Sequence, residues 1–529
     1  MDVGSASTMM AHSRTILDAL STHEVLIIVG ETGSGKTTQL PQLLLSAGCA
    51  RVVVTQPRRV AAIAAARRVS EERGGVVGSE VGYAVRFDQA CSSATRITFM
   101  TDGVLLRQAV ATPELEQFDA LVLDEAHERS LNTDVLFCLV KRMLASRRER
   151  SSIGLSPPAP LRASGGLQRV LIASATLDTA KLARYFFDAP VLHVPGRRFP
   201  VSVLHAAEPT SSHALVDAAL ELVLRLHVER PLRRAAGCEG DRGVDEFAER
   251  GVAADDVLVF CTGQEEIATA AHALTALEAQ LREDGPAAVA PLLVLPLHAT
   301  LSVEEQQRVF APAPLGSRKV VFATNVAETS LTIPGIGFVI DPGFVKEKRY
   351  DHERGMEVLT VVPIAKSAAT QRAGRAGRTA PGHVYRLYTE AQWAKMDVEQ
   401  LPEVARTNLA HVVLQLKAIG LHDVASLEWL DPPEPLALRR ALRLLFLLGA
   451  LDVDEVLKAA EATRERLESP DGDHISLLHL FDEWSAVAPG ARTDWCHAHG
   501  VRARVLRTAS DVQRQLLQLL RGAGMCDPQ

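Results

Sequence analysis

The residues best suited to chemistry are Gly30-Glu31-Thr32-Gly33-Ser34-Gly35-Lys36-Thr37. An apolar run, Val25 to Val29, precedes them, and a helical pattern follows from Thr38 to Leu45. Strand, glycine-rich turn and helix is the setting in which G-x-x-x-x-G-K-[ST] forms a phosphate cradle. Glycines let successive backbone N–H groups converge on β- and γ-phosphates, and the helix N-terminus adds the positive end of its dipole. In that arrangement Lys36 bridges phosphate oxygens, the Thr37 hydroxyl holds Mg²⁺, and Thr38 closes the binding set. The plain alternative is a flexible glycine loop. A chance match in a chain of this length is on the order of a few per cent, so the stretch is read as a nucleoside-triphosphate site.

A second strand signal, Leu121-Val122-Leu123, ends in Asp124-Glu125-Ala126-His127. Two adjacent acids at a strand end suit a Mg²⁺-dependent NTPase. Asp124 joins the metal shell, and Glu125, close to the metal, orients and deprotonates the attacking water. An acidic pair capping the next helix is the alternative, weakened by the phosphate loop upstream.

With that loop, Asp124-Glu125-Ala126-His127 resembles a DEAH-box RNA helicase of superfamily two, and further motifs come in that family's order. Thr55-Gln56-Pro57-Arg58-Arg59-Val60 resembles motif Ia, and Thr101-Asp102-Gly103 resembles Ib. Ser174-Ala175-Thr176 resembles III, and Phe260-Cys261-Thr262-Gly263-Gln264-Glu265-Glu266 resembles IV. Thr324-Asn325-Val326-Ala327-Glu328-Thr329-Ser330 resembles V, and Gln371-Arg372-Ala373-Gly374-Arg375-Ala376-Gly377-Arg378 resembles VI.

The resemblance implies ATP and Mg²⁺ as cofactors, single-stranded or structured RNA as partner, ribonucleoprotein complexes as setting, and the nucleus or nucleolus as location, with the cytoplasm as alternative. It implies catalytic roles for Lys36, Asp124, Glu125, His127, Gln371, Arg375 and Arg378. Arginines three apart share a helical face, so Arg375 and Arg378 can reach one γ-phosphate, and Gln371 can position water. A solvated basic face is the alternative. Ser174 and Thr176 relay phosphate loss, or simply cap the following helix. Arg68 and Phe310 sandwich the adenine, although Phe310 also reads as a core aromatic. Stacking senses a flat ring and not its edge, so broad nucleotide tolerance is expected. Arg58, Arg59, Thr101, Thr324 and Asn325 suit phosphates and 2′-hydroxyls.

These residues need a scaffold. Short β-branched runs alternating with amphipathic stretches imply parallel sheets flanked by helices. Strands are expected at Val25–Val29, Val52–Thr55, Ile97–Met100, Ala120–Leu123 and Val170–Ala173. A second block places them near Val257–Cys261, Leu292–Leu295, Val320–Ala323, Phe338–Ile340 and Val384–Leu387. The fold class is thus α/β, and the family resemblance implies two tandem RecA-like P-loop domains, residues 1–198 and 199–390. The resemblance also implies a winged-helix-like region, 391–455, and a partial helical ratchet region, 456–529, after them. Residues 147–166 read as a surface loop, 233–254 as a mobile insertion, and Lys346 to Pro363 as a β-hairpin like the family's strand-separating one.

The family has several tens of residues between the winged helix and Asp471-Gly472-Asp473-His474 that this chain lacks. The chain also stops at Gln529, before the family's oligonucleotide-binding fold. The expectation is a shortened member or an incomplete gene model. The rival reading is an RNA-stimulated ATPase that clamps RNA without productive unwinding.

The chain has 529 residues, too long for one core, with 47% hydrophobic and 23% charged residues. No apolar run is long enough to span a membrane, and no secretory signal is visible. Seven scattered cysteines without a C-x-x-C pair argue for a reducing compartment. Net charge is −7 at pH 7, but binding follows the local field, and arginines cluster at 58–59 and 67–68.

Overall fold

The computed structural model describes residues 8–30, 33–112, 114–151, 167–175, 178–196, 199–211, 214–230, 232, 255–284, 290–328, 333–351, 355–378, 380–418, 421, 423–424, 427–451, 481–498, 503, 506–507 and 510. The chain divides into two compact units, residues 1–406 and 407–529. The larger unit is built on two separate sheets.

The first sheet contains β1 (Val25–Gly30), β2 (Val52–Gln56), β3 (Val81–Val85), β4 (Asp88–Ala90), β5 (Ile97–Thr101), β6 (Ala120–Leu123), β7 (Arg169–Ser174) and β8 (Val191–Val194). Its order is β4-β3-β5-β2-β6-β7-β1-β8. Only β3 and β4 pair antiparallel. Parallel strands covered on both faces need continuous apolar runs, and β2 and β6 are buried along their whole lengths. Leu26, Ile28, Val52 and Val54 are fully buried, each stabilising the fold by roughly 1.5–3 kcal/mol.

The second sheet contains β9 (Val201–His205), β10 (Asp256–Phe260), β11 (Leu292–Leu297), β12 (Arg318–Ala323) and β13 (Ile336–Asp341). The hairpin β14 (Phe344–Asp351) and β15 (Met356–Pro363) forms its own two-stranded sheet, and β16 (Gly382–Arg386) completes the large one. The order β11-β12-β10-β13-β16-β9 is parallel throughout. The hairpin expected at Lys346 to Pro363 is present with Lys346 opposite Val361; its turn residues 352–354 lie outside the described residues.

Every strand expected from a β-branched run is found. β3, β4, β8 and β9 were not expected, because they are short or interrupted by glycine or polar residues. Two expectations need correction. Residues 147–151 are not loop: they finish the helix Leu131–Ser151, whose charged last turns tolerate solvent, with Arg147 also bonded to Leu167 O and lying 3.7 Å from Glu114. The helix carrying Gln371 stops at Ala373, with Gly374 as its cap. Arg375 and Arg378 therefore do not share a helical face; they lie in the turn that follows.

The insertion at 233–254 lies outside the described residues, as does most of 456–529. The smaller unit shows the helices Ala410–Ala418, Pro435–Leu447 and Arg492–Ala498. Trp484, Cys496 and Leu506 form a small buried cluster within it. Among the described residues no helix is long and apolar enough to cross a membrane.

Candidate nucleotide site and nucleic-acid interface

Parallel strands in register present their carboxyl ends on one side, with Val29 opposite Ser174 and Thr55 opposite Leu123. Ligands in such sheets bind at those ends. β1 ends at Gly30, where a Cβ would stand 2.9 Å from Val194 O, so the strand approaches its neighbour too closely for a side chain. Gly33 and Gly35 have φ of +89° and +92°, values glycine adopts without steric cost. Glu31 and Thr32 lie outside the described residues. Ser34 is buried and Thr38 half-buried.

The helix Lys36–Ser46 begins at the loop's lysine. Lys36 is buried, and its ammonium donates to Gly30 O and, at 3.4 Å, to Ser34 Oγ. A fixed cation at a helix N-terminus, beside turned backbone N–H groups, suits a polyanion.

Thr37 Oγ1 donates to Asp124 Oδ2 at 2.5 Å, and Gln56 Nε2 donates to the same oxygen at 2.6 Å. The Glu125 N–H donates to Asp124 Oδ1 at 2.9 Å. Burial, and then the neighbouring Glu125 charge, push the Asp124 carboxyl above its usual range, while the Thr37 hydroxyl and Lys36 oppose the rise. Gln56 was not among the sequence candidates for this site. The available signals were its place at the end of β2 and in the stretch that resembles motif Ia.

Glu125 adopts φ +52° and Arg129 φ +48°, bracketing the 3₁₀ turn Ala126–Glu128. Such backbone costs of order 1–3 kcal/mol per residue and persists where the surroundings fix it. His127 supplies part of that fixing. Its Nδ1 accepts the Ala175 N–H at 3.2 Å, and its Nε2 lies 3.4 Å from Glu125 Oε2. Burial lowers the His127 pKa to about 4, so the ring is neutral at pH 7. With Nδ1 accepting, its single proton is on Nε2, the nitrogen that lies on the Glu125 side of the ring. The Ser174-Ala175-Thr176 motif thus meets the acidic turn through the backbone of Ala175. Ser174 is fully buried, and Thr176 lies outside the described residues.

From the second sheet's side, Arg375 is 3% exposed and donates through Nε to Gln371 O at 3.3 Å. Its charge is among those that act on the His127 ring, after that of Lys36. Gln371 and Arg378 are half-buried. The sequence had given no role to Arg372, which is buried. It pairs with Asp341 at 2.8 Å and Glu328 at 3.0 Å, above the Phe260 ring. That arginine organises the second domain's own core.

The helix Arg59–Glu72 and the Gln307–Phe310 stretch line a cleft of about 220 Å³. Arg68 and Phe310 both face it, with Arg67, Glu71 and Gln307. Arg68 also donates to Glu72 at 2.8 Å. The two expected base-sandwiching residues therefore line one cleft, although they lie far apart in the chain.

Among the candidate RNA contacts, Arg58 donates to Asn325 O at 2.7 Å, and its other guanidinium nitrogen lies 3.4 Å from Glu128 Oε2. Arg59 and Asn325 are exposed, while Thr101 and Thr324 are half-buried at strand ends. The structure brings Arg58 and Asn325 together directly.

The chain matches the DEAD/DEAH box helicase family over residues 10–184 and the helicase conserved C-terminal domain over residues 246–380. A curated relative, the pre-mRNA-splicing factor ATP-dependent RNA helicase prp22 of Schizosaccharomyces pombe, is 37% identical over 564 aligned residues. That alignment covers 96% of this chain and 44% of the relative, so the chain spans less than half of that relative's length. Among solved structures, the crystal structure of the Escherichia coli DEAH/RHA helicase HrpB is similar with a TM-score of 0.69 and 30% identity. It covers 92% of this chain and 55% of that one.

Proposed function

Since this chain belongs to the DEAD/DEAH box helicases, we propose that it is an ATP-dependent RNA helicase, coupling ATP hydrolysis to movement along single-stranded RNA or to remodelling of structured RNA. The observation that carries the reading is the 2.5 Å bond between Thr37 and Asp124, which joins the glycine-rich loop to the acidic turn across 87 residues of sequence. Neither a flexible loop nor a helix-capping acid pair requires that contact.

Each side chain takes a role from its position. The backbone of Gly30 to Thr38 and the Lys36 ammonium hold the phosphates. A threonine hydroxyl beside a buried aspartate oxygen fits Mg²⁺, so Thr37 and Asp124 are its proposed holders, with Glu125 close by. Bound there, Mg²⁺ would supply positive charge against that of the phosphates. Glu125 accepts the proton of the attacking water, and His127 fixes its orientation. Arg375, placed near His127, offsets charge that develops on the γ-phosphate, with Arg378 and Gln371 assisting. The base lies between Arg68 and Phe310 in the 220 Å³ cleft.

RNA would meet Arg59, Thr101, Thr324 and Asn325, with Arg58 available once it leaves Asn325 O. Ser174 and Thr176 are the proposed relay. The hairpin β14–β15 is the candidate strand separator. We keep 1–198 and 199–390 as the two RecA-like domains, 391–455 as winged-helix-like and 456–529 as ratchet region. The splicing role in the fission-yeast relative's name makes nuclear ribonucleoprotein complexes the partners we propose.

The test is Lys36→Ala, assayed for RNA-stimulated ATP hydrolysis. Loss of the fixed cation should reduce turnover by about 10²-fold or more, the scale of removing one preorganised transition-state contact. Turnover equal to that of the unmodified chain overturns the site.

A further inference from the structure

The two ends of the strained acidic turn are held by different parts of the chain. At the Glu125 end the holders are Asp124 and His127. At the Arg129 end, the side chain grips Asp134 with two prongs, at 2.7 and 3.1 Å. The Arg129 carbonyl accepts the N–H of Glu403 at 3.1 Å. The Glu403 carboxylate in turn accepts the Leu131 N–H at 2.8 Å, from 272 residues away in sequence.

Leu131 opens the helix Leu131–Ser151, and the first N–H groups of a helix have no intrahelical acceptor. Ser130 serves one of them, accepting the Thr133 N–H at 3.1 Å. Glu403 serves Leu131, and its charge lies where the helix dipole favours an anion. Glu403 belongs to the 3₁₀ turn Glu403–Ala405, well after the second sheet, and is half-buried. It is not among the residues that line the base cleft.

We propose that Glu403 is a positioning residue for hydrolysis. It holds Arg129 O and Leu131 N on either side of Ser130, and so fixes the left-handed backbone at Arg129. That in turn sets how Glu125 and His127 face the glycine-rich loop. The segment that leads to residue 407 is thereby tied to the hydrolytic turn, and a shift in one is felt by the other. The inference rests on the proposed role of Glu125 in preparing water.

The experiment compares the full chain with Glu403→Ala and Glu403→Gln, all with saturating poly(U) RNA. Glu403→Ala should lower kcat by about tenfold and leave KM for ATP within about twofold, as expected when a distant change misplaces a catalytic group. Glu403→Gln keeps an oxygen for the Leu131 N–H and should recover most of kcat. Hydrogen exchange at residues 129–133, which needs no turnover, should quicken in Glu403→Ala. Unchanged exchange and kcat in Glu403→Ala overturn the tie, and so does Glu403→Gln as damaged as Glu403→Ala. Quickened exchange in a chain whose unmodified form hydrolyses no ATP leaves the tie standing and sinks the proposed function instead.

Discussion

The His127 ring accepts the backbone N–H of Ala175 at 3.2 Å, so a strand end 48 residues downstream fixes which ring nitrogen carries the proton. The nitrogen that carries it lies 3.4 Å from Glu125 Oε2. A neutral ring beside a carboxylate leaves its charge in place, so Glu125 is free to take a proton from water.

Glu125→Gln follows from that geometry. The change keeps side-chain size and removes the base, so a fluorescent ATP analogue should bind with unchanged affinity while turnover falls by about 10²–10⁴-fold. If binding and turnover fall together, Glu125 serves the metal or the fold and not the water.

Phe310→Ala should weaken nucleotide binding by about 1 kcal/mol through loss of ring stacking against the Arg68 side of the cleft. Stacking reads a ring face, so KM should rise by similar factors for ATP and GTP. A loss confined to ATP would show edge recognition by another group.

Arg59→Ala and Arg58→Ala should differ. Arg59 is exposed at the start of the helix Arg59–Glu72 and is open to a phosphate. Its removal should lower the slope of log affinity for single-stranded RNA against log salt by about 0.7. Arg58 already donates to Asn325 O at 2.7 Å, so its loss should change the slope less and RNA stimulation of ATPase more. Equal slopes for Arg59→Ala and the unmodified chain count against the contact.

Asp102 supplies a pH test of the scaffold. Burial pushes its carboxyl from 3.8 up to about 6, although Thr133 and Ser130 hydroxyls donate to it at 2.5 and 3.2 Å. Because the folded value lies above the unfolded one, its favourable contribution is full below about pH 3.8 and lost as pH rises through about 6. Asp102→Asn should therefore unfold less readily above pH 6, by about 2–3 kcal/mol, with the advantage fading toward pH 4. A melting difference independent of pH refutes the account.

The sequence by itself determined the two sheets' main strands, the glycine-rich loop, the acidic pair and the hairpin. Those features are local. Apolar runs such as Val52-Val53-Val54 specify a strand through burial on both faces, and Gly33 and Gly35 specify a turn through φ values other residues resist. Spacing alone also suggested that Arg375 and Arg378 share a helical face, which failed because Gly374 ends the helix between Gln371 and Arg375.

Only the tertiary structure decided who meets whom. The order β5-β2-β6-β7-β1 sets β2 beside β6 and β7 beside β1, and that neighbourhood lets Gln56 and Thr37 share one oxygen of Asp124 and lets Ala175 meet His127. The contacts of Arg58 with Asn325 and of Glu403 with Leu131 span 267 and 272 residues. A side chain's type fixes what it can bond. Its partner depends on strand order and on the path of the chain between domains, and no window of neighbouring residues contains either.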